Sequence, residues 1–227
     1  MLKLMSCLLT IAVAQTLPFW KSKAKVYERV QNREVIVSVT ALDHTPEVPR
    51  YTLRVVGGGQ SRVPCDFVFI QAENYEETAR LSGYVTQAKF NPETRVMNVT
   101  VEAFFHSASM QIAVQSHPAP ERKLDFTMLT GAMRGFQWAL SFADLNSGIC
   151  EIAIDGSYLY DQFPIPRLFL EFGMEAVFKR MAERLREQVE AHWKVEKANT
   201  AQGNNPIDKP RPLMEEFDRL KKRRGGD

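Results

Sequence analysis

Apolar positions along this chain recur with two different periods, and the switch between them divides it. Between Arg33 and Tyr158 the apolar runs are short, rich in β-branched residues and alternate with polar positions. That is how half-buried strands read. Strands are expected over residues 33–42, 51–56, 83–90, 95–104, 109–116, 125–130, 136–144 and 148–158. In the fourth, Met97, Val99 and Val101 share one face, while Val96, Asn98 and Thr100 share the other. In the last, Cys150, Ile152, Ile154 and Gly156 form the core or cavity face, opposite Ile149, Glu151, Ala153 and Asp155. Asn91-Pro92-Glu93 and Asn146-Ser147-Gly148 have the composition of turns. Gly57-Gly58-Gly59 is expected to break regular structure after the second strand or to permit a close turn. Pro64 to Leu81 has helical character, as one helix or two short ones, with Glu73, Glu76 and Glu77 on its polar side.

From residue 164 the period becomes three to four. Leu170, Met174, Val177, Phe178, Met181, Leu185, Val189 and His192 trace one stripe up to Trp193, after an entrance marked by Pro164 and Pro166. This predicts a helix of roughly seven turns with one apolar face. Such a face can cover an antiparallel sheet, so the expected class is α+β. Beyond Trp193 apolar content falls. Residues 194–227 are expected to form a polar, partly basic flexible tail, with a short helix over Leu213–Leu220.

Composition changes this picture little. The chain has 227 residues, 44% hydrophobic and 25% charged, with a formal net charge of +2. No basic excess points to nucleic acid. The basic cluster Arg219, Lys221, Lys222, Arg223 and Arg224 is either a solvated tail or a transient contact to an anionic membrane surface.

The two ends of the apolar count matter more. Lys3 precedes an apolar run from Leu4 to Ala14 that closes on Ala12-Val13-Ala14. Small residues at the first and third places of that triplet fit a cleaved secretory signal over residues 1–14. A lipobox around Cys7 and a buried first element are the alternatives. Export to the periplasm or beyond would permit Cys65 and Cys150 to pair. That bond would be worth about 4 kcal/mol in the chain-entropy picture. Otherwise they are buried thiols acting as small hydrophobes.

The order of elements from Tyr51 to Trp193 resembles the START-like superfamily, also called the SRPBCC or polyketide cyclase/lipid-transport family. Four segments carry the resemblance: Gly59 to Phe69, Asn74-Tyr75-Glu76, Gly131 to Trp138, and Pro164-Ile165-Pro166 leading into the long helix. The resemblance implies a helix-grip fold, in which a curved antiparallel sheet wraps a long C-terminal helix. It also implies an apolar cavity between the two. The domain would span residues 20–193, and residues 20–50 would be an addition, an extra strand and loop.

The candidate lining of that cavity is apolar: Phe104, Met110, Met128, Phe136, Trp138 and Phe142 on the strands, with Phe172, Met174, Phe178 and Met181 on the long helix. A Met- and Phe-rich lining suits a flexible apolar ligand, and the same residues also suit a filled core. Arg134 and Gln137 are candidates to orient a polar end.

Catalytic signals are absent from the residue pattern. There is no Gly-x-Ser-x-Gly elbow. His44, His106, His117 and His192 show no spacing that implies zinc, and His192 reads as structural, near a helix end. Asp144, Glu151 and Asp155 read as solvated strand positions. The expected function is binding or transport of a hydrophobic small molecule of lipid or quinone type, with no cofactor. The alternatives are a cyclase-like enzyme using the same cavity, and an interaction module with a filled core.

Overall fold

The computed structural model describes residues 19–43, 45–46, 50–103, 106–145, 148–161 and 167–201. The expected signal (1–14), His44, Phe104, Asn146, Ser147, Pro164, Pro166 and the tail from residue 202 lie outside the described residues. Elements follow in the order α1 (Phe19–Ser22), α2 (Ala24–Gln31), β1 (Ile36–Leu42), β2 (Tyr51–Ser61), α3 (Cys65–Ala72), α4 (Tyr75–Arg80), β3 (Val85–Asn91), β4 (Val96–Ala103), β5 (His106–His117), β6 (Lys123–Met128), β7 (Gln137–Asp144), β8 (Cys150–Tyr160) and α5 (Arg167–Ala201). The eight strands form one sheet in the order β1-β2-β8-β7-β6-β5-β4-β3, each neighbour antiparallel. With α5 laid along one face, this is the helix-grip arrangement.

The alternation in the sequence sets which face is which. Met97, Val99, Ile112, Val114, Leu124 and Phe126 are buried on the side of α5, and outward neighbours such as Asn98 and Gln111 are exposed. Leu170, Leu185 and Val189 of α5 are buried against that side, and Met174, Phe178 and Ala182 complete the stripe. Asn91 makes the β3–β4 turn by accepting the backbone N–H groups of Glu93 (2.9 Å) and Thr94 (3.3 Å) through its side chain.

Helix side chains close both edges of the sheet. At β1 the Ala41 N–H donates to Glu171 Oε1 of α5 at 2.6 Å. At β3 the Phe90 N–H donates to Glu76 Oε1 at 3.0 Å, and the Ala88 carbonyl accepts from Arg80 Nη2 at 3.2 Å. Backbone groups that would otherwise invite another strand are thereby occupied.

Several expectations need correction. Gly57–Gly59 does not interrupt β2; the strand runs through it to Ser61. Close approach, not a turn, demands these glycines. A Cβ on Gly57 would lie 2.7 Å from the Ile36 carbonyl oxygen, and one on Gly58 would lie 2.6 Å from the Trp20 ring. The segment 20–50 contributes two helices besides its strand. Val26, Tyr27 and Val30 of α2 share one helical face, and Trp20 and Val30 are buried with Ile36 on the outer face of the sheet. This cover also changes Glu151, which is buried and paired with Lys21 Nζ at 2.6 Å rather than solvated. Finally, α5 continues eight residues past Trp193, through 194–201. Lys, Glu and Ala there are good helix formers even without an apolar stripe. His192 is therefore inside the helix rather than near its end, and its Nδ1 lies 3.1 Å from Gln71 Oε1.

Candidate functional site

Between β1, β2, β7 and β8 on one side and α5 on the other, the interior is not filled. A hollow of about 90 Å³ remains. Its floor is the backbone of Gly57–Gly59, and its walls are Val35, Val37, Trp138, Leu140, Ile152 and Ile154. Phe178, Met181, Ala182 and Leu185 of α5 form the roof, with Thr78 of α4 and Arg186 at the margin. Register explains the floor. Gly57 stands between Val37 and Ile154 across the strands, and Gly59 stands opposite Ile152. Those neighbours project toward α5, and the glycines project nothing.

Of the lining residues expected from sequence, Trp138, Phe178 and Met181 stand at the hollow. Met128, Phe136 and Phe142 are buried in the solid core, and Met110 and Met174 are packed against it. Phe136 stacks on Trp138 at 5.0 Å, and Phe142 meets Phe69 edge-on at 5.5 Å. Phe172 is turned to solvent, 73% exposed, because it falls off the 3.6-residue stripe. Arg134 is exposed in the β6–β7 turn, and Gln137 is exposed on the outer face of β7, so neither reaches the hollow. Arg186 and the glycine floor were not among the expected residues. Glycine in a β-branched strand was the available signal, since it marks close backbone approach or missing packing.

The two cysteines meet. Cys65 opens α3 and Cys150 opens β8, and their sulfurs are bonded, with Cα atoms 4.8 Å apart. Both are buried, which ties α3 to the sheet next to the core. Beside them, Arg122 Nε donates to Asp66 Oδ1 at 2.6 Å and Nη1 lies 3.2 Å from Asp144. That hydrogen bond holds the Asp66 carboxyl below the usual carboxylate range. Burial raises the Tyr75 phenol above its ordinary value, with the Glu73 charge adding to it.

At the margin of the hollow, charge is partly paired. Glu190 forms an ion pair with Arg33 and accepts the Arg62 N–H at 3.3 Å. Arg186 Nη1 donates to the Arg33 carbonyl, while its Nε is buried with no hydrogen-bond partner. A wider depression of about 640 Å³ lies across the outer side of β3–β5. Four of its polar groups pair with one another, Gln111 Nε2 donating to Asn98 Oδ1 at 3.1 Å and Thr100 and Ser109 hydroxyls standing 3.3 Å apart. His106 and His117 sit at opposite ends of β5. Among the described residues no three His, Cys, Asp or Glu side chains converge as a metal site.

No family model and no curated protein sequence matches the chain. Solved structures do. A START superfamily protein from Mycobacterium smegmatis aligns with a TM-score of 0.51 at 12% identity, covering 61% of this chain and 97% of that one. A protein from Thermus thermophilus aligns at 0.52 and 13% identity, over 61% and 97% of the two chains. The Zhui aromatase/cyclase from Streptomyces sp. R1128 gives 0.53 at 12% identity, over 63% and 96%. Identity this low establishes shape alone.

Proposed function

The chain has the START-like helix-grip fold, and we propose that it binds a compact apolar small molecule in the hollow between the glycine floor and α5. One observation carries this reading. The sequence omits side chains at Gly57 and Gly59, at positions where β-branched neighbours would otherwise fill the interior. Natural cores are packed to near-crystalline density, so a gap lined by aliphatic and aromatic groups is a candidate for occupation. The binding force is apolar area withdrawn from water, roughly 25 cal/mol per Å². Phe178 and Met181 are the adjustable part of the lining, because an unbranched thioether repacks at low cost. The hollow as it stands holds a small body rather than a whole lipid chain. A longer tail requires α4 and α5 to part near Thr78.

Binding is preferred to cyclase chemistry because general acid–base work needs a positioned carboxylate, histidine or similar group. Among the described lining residues Arg186 is the sole ionisable one. Likeness of shape to an aromatase/cyclase adds no residue to that count. We also propose export: the buried Cys65–Cys150 bond supports an oxidising compartment, in keeping with the apolar segment before Gln15.

Mass spectrometry under native conditions, followed by organic extraction, tests the binding reading. The protein should be produced in an oxidising compartment. A near-stoichiometric small molecule is expected in the wild type and is lost in Ala182→Leu, which puts a larger side chain into the roof while retaining a good helix former. Absence of any bound molecule, even after incubation with an extract of total membrane lipid and apolar metabolites, overturns it.

A further inference from the structure

We propose that Arg186 reads the polar end of the ligand and that the ligand is a compact branched or cyclic carboxylate. This rests on the hollow being a binding site, and it adds the chemical class.

Four observations converge on Arg186. Among the described residues it is the one charged side chain lining the hollow, beside the Glu190–Arg33 ion pair at the margin. Its Nε is buried and has no acceptor, whereas buried N–H groups are almost always paired. Its Nη1 is committed to the Arg33 carbonyl, which restrains the guanidinium while leaving the Nε–H without an acceptor. Its charge is also unspent. Glu190, one turn further along α5, is engaged with Arg33, Ser61 and the Arg62 N–H, and among the described residues Arg186 makes no ion pair.

The missing partner is thus an acceptor, and preferably an anionic one. A carboxylate oxygen would accept the Nε–H in a charge-assisted bond, about twice as strong as a neutral one. An amine would place like charge against the guanidinium. A plain hydrocarbon would leave the N–H unpaired, at the cost that buried donors carry. Size sets the other end. A cavity of about 150 Å³ takes the six heavy atoms of benzene, so 90 Å³ holds an apolar body of about four heavy atoms. The acid group would sit at the margin, against Arg186, with the branched or cyclic body over the glycine floor.

The probes are xenon, 3-methylbutanoate and 3-methylbutylamine, titrated into the full chain with methionine methyl groups labelled. The readout is the Met181 methyl resonance, assigned through Met181→Leu. Xenon is expected to shift it, and 3-methylbutanoate is expected to bind at least about tenfold more tightly than the amine. Arg186→Gln should erase that preference while the xenon response persists. If xenon enters but acid and amine bind alike, or the acid is indifferent to Arg186→Gln, the Arg186 role fails and the hollow stands. If neither xenon nor acid moves the resonance, the hollow is not a site and both readings fall. Should Arg186→Gln not fold by circular dichroism, the acid–amine comparison in the wild type decides alone.

Discussion

Two stretches of the same inner sheet face are finished in opposite ways. Across β6, β7 and β8 an aromatic series fills the space: Phe126 stacks on Trp138 at 5.1 Å, Trp138 on Phe136 at 5.0 Å, and Phe136 meets Tyr158 edge-on at 6.3 Å. Tyr158, Tyr160 and Tyr51 continue it to the start of β2. Across the middle of β2, by contrast, Gly57 and Gly59 project nothing and the hollow opens. Fold geometry is common to both stretches, so the fold alone does not make the cavity. Side-chain volume does: at Gly156 on the same face the Trp138 and Phe136 side chains take the space a glycine leaves, whereas above Gly57 and Gly59 it stays open. The filled stretch should therefore answer to stability measurements and the hollow stretch to binding measurements.

The largest effect is expected in the filled stretch. Phe136 is 2% exposed and touches Trp138, Tyr158 and Phe178. Phe136→Ala should cost about 3–5 kcal/mol, read from urea unfolding at constant m-value. A cost below about 1 kcal/mol would mean that the aromatic series is loosely packed and that the contrast with the hollow is false.

Next comes the cross-link. Cys65 and Cys150 close a loop across a sequence separation of 85. Replacing both with Ala should cost about 2–5 kcal/mol, and added reductant should then lower the Tm of the wild type but leave the variant unmoved. Equal reductant sensitivity in both would show that the bond does not form in solution. Since the disulfide anchors α3 to the filled side, hydrogen exchange should rise in α3 and β8 before it rises in β1.

The glycines allow a sharper comparison within three residues. Gly58 faces outward beneath Trp20, and a Cβ there would come 2.6 Å from its ring. At Gly59 a Cβ would come only to 3.3 Å from Val35 Cγ2, inside. Gly58→Ala should cost about 1–3 kcal/mol and loosen α1, seen as a red shift in Trp fluorescence. Gly59→Ala should cost less and weaken ligand retention. If the two variants behave alike, the division of labour assigned to the outward and inward glycines is wrong.

These cases also show what could be read from sequence. Strands, their inward faces and α5 were legible because burial on one face imposes a period of two or of about 3.6. Met97, Val99 and Leu185 follow directly from it. The hollow was legible in part: Trp138, Phe178 and Met181 line it as expected, while Phe136 and Met128, expected beside them, fill the core, and the glycine floor carried no apolar signal to find it by. Arg186 was hidden for a different reason. On a surface-rich helix its position looks like any solvated arginine, and only the packing of α5 over β1 and β2 turns it toward the interior. Trp20 and Glu151 were hidden likewise, because the cover that buries them comes from two short helices whose docking on the outer sheet face is a long-range contact. Pairing of Cys65 with Cys150 depended on the same long-range geometry.

The smallest effect belongs to the ion pair flanking the disulfide. Arg122 holds the Asp66 carboxyl below its ordinary range, so the native state prefers the charged form. A carboxyl with a lowered folded pKa contributes stability that is fully present above its unfolded value, about pH 4, and that disappears as pH falls through the folded value. The unfolded chain binds the extra proton first, so wild-type stability must decline with acid over that interval. Asp66 is 68% exposed at its side chain, and solvent screening limits the contribution to about 0.2–1 kcal/mol. Asp66→Asn should lose that amount at pH 7 and almost nothing near pH 2, so the two urea midpoints converge on acidification. Parallel midpoints at every pH would show that Arg122 gains no more from Asp66 than from Asp144, which lies 3.2 Å from its other nitrogen. The α3 anchor would then rest on the disulfide and core packing alone, and the filled side would owe nothing to charge.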